Sequence, residues 1–187
     1  MSIHAAQLIN AVPDIEKKRY LELGVETGET FNVVRAYQKH GVDIAVRPAG
    51  LHLSCSVAYH QGGTDNFFET AERVWDVIFI DAGHAYEQVL RDYNNSVRHL
   101  ASGGYLFIHD LVPPSEAHCA LNWCGDGWKL LMQLRARKAT MVTLDCDYGL
   151  TCVRYPPRIS VPMCASFVDF LPPNGLSVDE MIDWIRS

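Results

Sequence analysis

The chain has 187 residues, 48% hydrophobic and 20% charged, the composition of a folded globular domain rather than a disordered one. A net charge of −6 without any Lys/Arg run argues against a nucleic-acid backbone as partner. No apolar stretch approaches the length of a membrane span, and MSIHAAQLINAVPDIEKK lacks the features of a secretion signal, so a soluble, cytoplasmic single domain over 1–187 is expected.

Residues 3–12 read as a short helix stopped near Pro13, within an N-terminal segment over 1–16. RYLEL (19–23) reads as a strand, followed at once by Gly24 and Gly28, the residue type that permits left-handed turns and close backbone approach. A helix is expected over 29–39 with Phe31, Val34 and Tyr37 on one side. GVDIAV (41–46) and SVAYHQ (56–61) read as strands, and a helix over 65–73 precedes WDVIFIDAG. The Val77–Ile80 run is too apolar for an edge strand and implies cover on both faces, as in a parallel sheet. Over 85–100, Val89, Leu90, Tyr93, Val97 and Leu100 recur at helical spacing.

Gly103 and Gly104 break the chain before YLFIHD (105–110), another buried strand. A helix over 127–137 leads to ATMVTLD (139–145) and LTCVRY (150–155), which pair as a terminal hairpin. A Pro-containing arm over 155–171 and an amphipathic helix over 177–186 complete the pattern, dividing the domain into a core (17–155) and a C-terminal arm and helix (156–187). The six cysteines include no C-x-x-C pair and are expected as free thiols. Strand–helix alternation of this kind makes an α/β fold: a Rossmann-like three-layer sandwich with a mainly parallel seven-stranded sheet and a terminal antiparallel hairpin.

In open α/β sheets ligands bind beyond the carboxyl ends of the strands. Glu22, Asp43, Asp81 and the pair His109–Asp110 end four of the proposed strands and would gather on one rim. A strand-end acid alone is commonly a helix cap. Four titratable ends together mark a site.

YLELGVETGET (20–30) resembles the first motif of class I S-adenosylmethionine-dependent methyltransferases, in the E-x-G-x-x-x-G form of small-molecule O-methyltransferases. WDVIFIDAGHAYEQVLRDYNNSVRHLASGGYLFIHDLVPP (75–114) resembles the matching region of the family that includes sugar O-methyltransferases. There a strand ends I-D-x-x-H-x-Y, a helix carries an R/K-D step, L-x-x-G-G follows, and the next strand ends H-D. The resemblance spans roughly 17–155 and implies S-adenosylmethionine as cofactor. Gly24 and Gly28 would admit its methionine portion, the helix start near Thr27–Thr30 would meet its carboxylate, and Glu22 its ammonium. Asp43 would accept from the ribose hydroxyls, and Thr64–Asp65 would sit by the adenine, with Asp65 accepting from the exocyclic amine. The interval from Gly28 to Asp43 is shorter than the roughly 20 residues of the dinucleotide fingerprint. Either the intervening helix is short or another acid takes that part.

A nicotinamide dehydrogenase would need G-x-G-x-x-G, whereas Gly24-Val25-Glu26-Thr27-Gly28 places Glu26 where a pyrophosphate would be repelled. Methyl transfer requires an in-line sulfonium and a nucleophilic acceptor oxygen, and alcohols ionise poorly at neutral pH. The resemblance implies a magnesium-class divalent ion on Asp81, His109 and Asp110, with His109 shifting preference toward manganese, iron or zinc. Asp81 is expected at the cofactor and in the catalytic set as well. The family's second acid falls at Gly83, which leaves His84 as the candidate base. Asp92 reads as structural; His118, Cys119 and Cys124 lie in a loop that would line the acceptor pocket. The expected partner is a small-molecule acceptor, with a second copy of the chain closing the pocket. A metal-dependent hydrolase, an N-methyltransferase and an inactive S-adenosylmethionine-binding protein are the alternatives.

Overall fold

The computed structural model describes residues 3–187; the first two residues of the N-terminal segment lie outside the described ones. Strands β1 (Arg19–Leu23), β2 (Gln38–Asp43), β3 (Val57–Gln61), β4 (Trp75–Ile80), β5 (Leu100–Ile108), β6 (Thr140–Thr143) and β7 (Thr151–Arg154) form one sheet. Its order is β3-β2-β1-β4-β5-β7-β6. The first five strands pair in parallel, and β7 runs antiparallel to both β5 and β6.

Side-chain alternation along the central strands builds the two outer layers. Ile78, Ile80, Leu106 and Ile108 pack with α3 (Thr64–Thr70), α4 (Tyr86–His99) and α5 (Trp128–Ala136) on one face. Val77, Phe79, Tyr105 and Phe107 pack on the other with α1 (Ile3–Ile9), α2 (Glu29–Val33) and α6 (Val178–Arg186). There α1 packs against α6, and the Tyr105 hydroxyl donates to Ile185 O at 3.1 Å. The result is the expected Rossmann-like sandwich.

Three elements differ from the sequence reading. The helix expected over 29–39 ends at Val33, and Tyr37 is 64% exposed instead of packed. Val34 is extended, and the Lys39 ammonium donates to Phe31 O at 2.8 Å and Val34 O at 3.1 Å, capping carbonyls that a longer helix would have bonded. The strand expected over 41–46 therefore starts at Gln38 in register with Arg19 of β1 and stops at Asp43, leaving Ile44 and Val46 exposed. Gly103 and Gly104 lie inside β5 rather than before it. Gly103 takes a φ of +74°, and the pairing with β4 shifts register between Trp75 and Val77, so the glycines form an irregularity in the strand.

The C-terminal arm is fastened across α4 and α5. Asn94 donates to Ile159 O (2.9 Å) and accepts from Ile159 N (3.0 Å), while the Tyr93 hydroxyl donates to Pro157 O (2.6 Å). Met163 N donates to the Tyr86 hydroxyl at 2.8 Å, and Phe167 and Phe170 pack on Trp128. Ile159 is 2% exposed, so Asn94→Ala leaves its backbone pair without partners or water. The expected cost is about 1–3 kcal/mol in urea unfolding, accompanied by faster proteolysis within 155–171.

Candidate active site

Strands β1, β2, β4 and β5 deliver Glu22, Asp43, Asp81 and His109–Asp110 to one rim, where a cavity of about 840 Å³ opens. Gly24, Thr27, Thr64, Asp65 and His84 line it too; Gly28 does not. Among the described residues, nine that line it carry carboxyl groups and none is lysine or arginine. Such a cavity favours cationic ligands and disfavours phosphates.

Gly24 is demanded by the protein itself. At φ +86° a β-carbon would lie 2.0 Å from Asp81 O and 2.8 Å from Ala82 Cα, where the loops after β1 and β4 cross. The protein's own backbone therefore requires glycine here, beside any need of a ligand. Gly28, at φ +82°, caps α2. Glu26 is left-handed without being glycine (φ 45°), and Asp43 holds it there. Asp43 Oδ2 accepts from Val25 N and Glu26 N at 2.8 Å each, and Oδ1 accepts from Ala45 N at 2.8 Å. The brevity of α2 makes that reach feasible. Oδ1 keeps capacity for a further donor. A one-turn helix has little summed dipole, so the 27–30 segment offers individual N–H groups rather than a helix end.

Glu22 is 1% exposed, and its carboxyl accepts the Tyr20 hydroxyl at 2.5 Å. Burial is the main force pushing it up, to about 8; the Tyr20 bond and Lys39 oppose the shift, while Asp81 and Asp43 add to it.

On α3, Asp65 turns to Arg91 (3.3 Å) rather than facing the cavity alone. Thr64 donates to Asp92 Oδ1 at 2.5 Å, and Gln88 donates to the same oxygen at 3.1 Å. Burial pushes Asp92 up to about 6, and its Oδ2 has no hydrogen-bond partner among the described residues. Asp92, read from sequence as structural, does bind the two helices, and it also lines the cavity.

Asp81, His84 and Asp110 each place a ligand atom within 4.8 Å of the others. His84 Nδ1 faces Leu121 O at 3.3 Å, and a carbonyl only accepts, so that partner assigns the ring proton to Nδ1. The Nε2 lone pair then lies 3.2 Å from Asp110 Oδ2. Two acceptors at that distance call for a proton or a cation between them. Two carboxylates and an imidazole fit a divalent ion of the manganese, iron or zinc type.

His109, expected among the ligands, sits behind them with its side chain 7% exposed. Its Nδ1 is 3.3 Å from both Asp81 Oδ1 and Asp110 Oδ1, and Nε2 is 3.6 Å from Asp147 Oδ1. Burial alone would lower its pKa, but the carboxylates of Asp110, Asp147 and Asp81 hold it well above the ordinary imidazole value. A protonated His109 would orient the two acids from beneath.

Sequence reasoning missed the far wall. Asn122, Trp123, Asp147 and Tyr148 line the cavity, and Cys124 does as anticipated. His118 stacks edge-on to Trp123 and against Tyr148 rather than entering the cavity. Asp110, Asp147 and Tyr148 all take positive φ (60°, 54° and 54°). The Tyr148 carbonyl accepts from Val112 N, which joins the loop after β5 to the β6–β7 turn. The acid-rich LDCDYG turn was the available signal, but its approach to β5 is tertiary.

Residues 21–111 match the family described as a methyltransferase domain. The match covers just under half of the chain, which is similar there to a methyltransferase domain. Among curated proteins none matches it by sequence. Solved methyltransferases share its fold. The N-methyltransferase NodS of Bradyrhizobium japonicum is 18% identical, with 82% of this chain and 94% of that one covered and a TM-score of 0.56. The methyltransferase PaMTH1 of Podospora anserina, solved with S-adenosylhomocysteine, is 17% identical over 84% and 80% of the chains, TM-score 0.59. MycE of the mycinamycin biosynthetic pathway, solved with Mg, S-adenosylhomocysteine and mycinamycin VI, is 17% identical over 86% of this chain and 51% of its own, TM-score 0.58.

The buried Glu22 makes the stability of this protein pH-dependent in a defined direction. A carboxyl whose folded pKa exceeds its unfolded value stabilises fully below the unfolded value and loses that contribution as pH rises through the folded one. From pH 5 to 9 the parent should lose on the order of 4 kcal/mol relative to Glu22→Gln, read by urea unfolding of both proteins at each pH.

Proposed function

We propose that this protein moves the sulfonium methyl of S-adenosylmethionine to a hydroxyl of a small molecule, with Asp81, His84 and Asp110 presenting a divalent cation to the acceptor. The observation that carries the reading is the Asp81–His84–Asp110 cluster among the residues lining the carboxyl-rich cavity. In the displacement the C–S bond breaks as the C–O bond forms, the sulfonium becomes a thioether, and the acceptor proton passes to solvent water. The ammonium and sulfonium suit a cavity without Lys or Arg, with Glu22 toward the ammonium and Asp43 toward the ribose. A cation held by the cluster would polarise the acceptor oxygen and lower its pKa. Asp81 and Asp110 would fix the acceptor's position, and His109 would keep those acids aligned. MycE, with Mg in its complex, supports the metal reading; NodS, an N-methyltransferase, shows that the fold alone does not select oxygen. A hydrolase would use the cluster but has no need of the buried Glu22 or of a cavity free of Lys and Arg among the described residues.

The His84–Asp110 contact also favours a second reading, in which Nε2 takes the acceptor proton and Asp110 steadies the imidazolium. One lone pair serves one role at a time, since Nδ1 is committed to Leu121.

Calorimetry should show saturable binding of S-adenosylhomocysteine and none of NAD. At pH 7 binding should release a proton, because the ligand ammonium favours the Glu22 carboxylate that is largely protonated in the free protein. Gly24→Ala should abolish binding by forcing the Asp81–Ala82 backbone outward. Equal binding of NAD would refute the cofactor assignment.

Exhaustive chelation should lower turnover of a true acceptor roughly 10²–10⁴-fold, restored by Mn²⁺, and Asp110→Asn should weaken Mn²⁺ binding without loss of fold. Turnover that survives chelation but falls in His84→Gln would instead establish His84 as the base.

A further inference from the structure

The ring of His84 is held by a loop distant in sequence. Leu121 O faces Nδ1 at 3.3 Å, and Asp126 N donates to His84 O at 3.2 Å. Asp126 Oδ1 accepts from Tyr86 N, the first residue of α4, at 2.6 Å. Asp126 Oδ2 pairs with Lys129 at 2.6 Å, which keeps the carboxylate turned to α4. Between these contacts Gly125 is left-handed (φ +60°), and a β-carbon there would lie 2.0 Å from His84 O. The two backbones meet at a distance only glycine allows.

The Leu121 contact has a chemical effect. Imidazole free in water prefers its proton on Nε2, which would turn a donor, not a lone pair, toward Asp81 and Asp110. The Leu121 carbonyl favours the opposite tautomer, the one a cation ligand needs, once a cation takes the place of a proton between Nε2 and Asp110.

We infer that residues 121–126 form a clasp that fixes the position and tautomer of His84 for cation binding, with Gly125 and Asp126 as its positioning residues. The inference rests on the cation reading of the Asp81–His84–Asp110 cluster. The other side of the clasp, Asn122, Trp123 and Cys124, faces the cavity, so one loop forms part of the acceptor wall and holds the ligand ring.

The test is Mn²⁺ affinity of the purified full chain, read by the electron paramagnetic resonance of free Mn²⁺, with S-adenosylhomocysteine affinity measured alongside. Gly125→Ala and Asp126→Ala should weaken Mn²⁺ binding roughly 10–100-fold and leave S-adenosylhomocysteine binding unchanged. Asp126→Asn, which keeps an acceptor for Tyr86 N, should restore most of the Mn²⁺ affinity. Should Gly125→Ala fail to fold, the two Asp126 variants decide alone. Undiminished Mn²⁺ affinity in the alanine variants, equal loss in Asp126→Asn and Asp126→Ala, or parallel loss of S-adenosylhomocysteine binding overturns the clasp while the cation reading stands. A parent that binds S-adenosylhomocysteine but no Mn²⁺ ends the cation reading and the clasp together.

Discussion

Carboxyl groups crowd one cavity, and the working end of the molecule is arranged around relieving their mutual repulsion. Each acid is treated differently. Glu22 and Asp92 are buried and pushed up, Glu22 to about 8 and Asp92 only to about 6, with Tyr20 or Thr64 as donor. Asp43 is satisfied by three backbone amides. Asp65 meets Arg91 on the outside, and Asp81 and Asp110 share the imidazole of His109. A second imidazole, His84, stands beside Asp110. The same carboxyl group thus appears as neutral acid, loop staple, surface ion-pair partner and candidate ligand, the difference lying in solvent access and neighbouring donors.

The arrangement separates the cavity into two chemical halves. Around β1 and β2, Asp43 is tied to loop amides and Glu22 to the Tyr20 hydroxyl. Around β4 and β5 the acids face imidazoles and an aromatic wall in which Trp123 remains 47% exposed. The crossing of the β1 and β4 loops at Gly24 joins the halves, because the Asp81 carbonyl that excludes a β-carbon there belongs to a residue of the cluster.

Much of this was legible in the sequence because strands ending in acids after apolar runs are a local pattern. Val77–Ile80 followed by Asp81, and the buried strand followed by His109–Asp110, located the rim without coordinates. Tertiary effects set the rest. The length of α2 depends on the Lys39 ammonium, which arrives from the next strand to cap its carbonyls. Spacing placed His84 and His109 near the same acids but not which ring would lie against which carboxylate. That is decided by Leu121, by burial beneath the two acids and by the turn carrying Asp147. Asp126 and Gly125 carried no signal, since their partners lie about 40 residues earlier.

The contact between α1 and α6 bears on how the chain reaches this structure. The face of the sheet that carries Val77, Phe79 and Phe107 is covered by helices from opposite ends of the sequence. The other face is covered by helices that follow their own strands closely. On a ribosome the α3–α5 layer can therefore assemble while synthesis continues, but the opposite layer stays open until α6 emerges. During that interval the exposed Val77–Phe79–Phe107 surface is the one a chaperone would shield and the one through which nascent chains would associate.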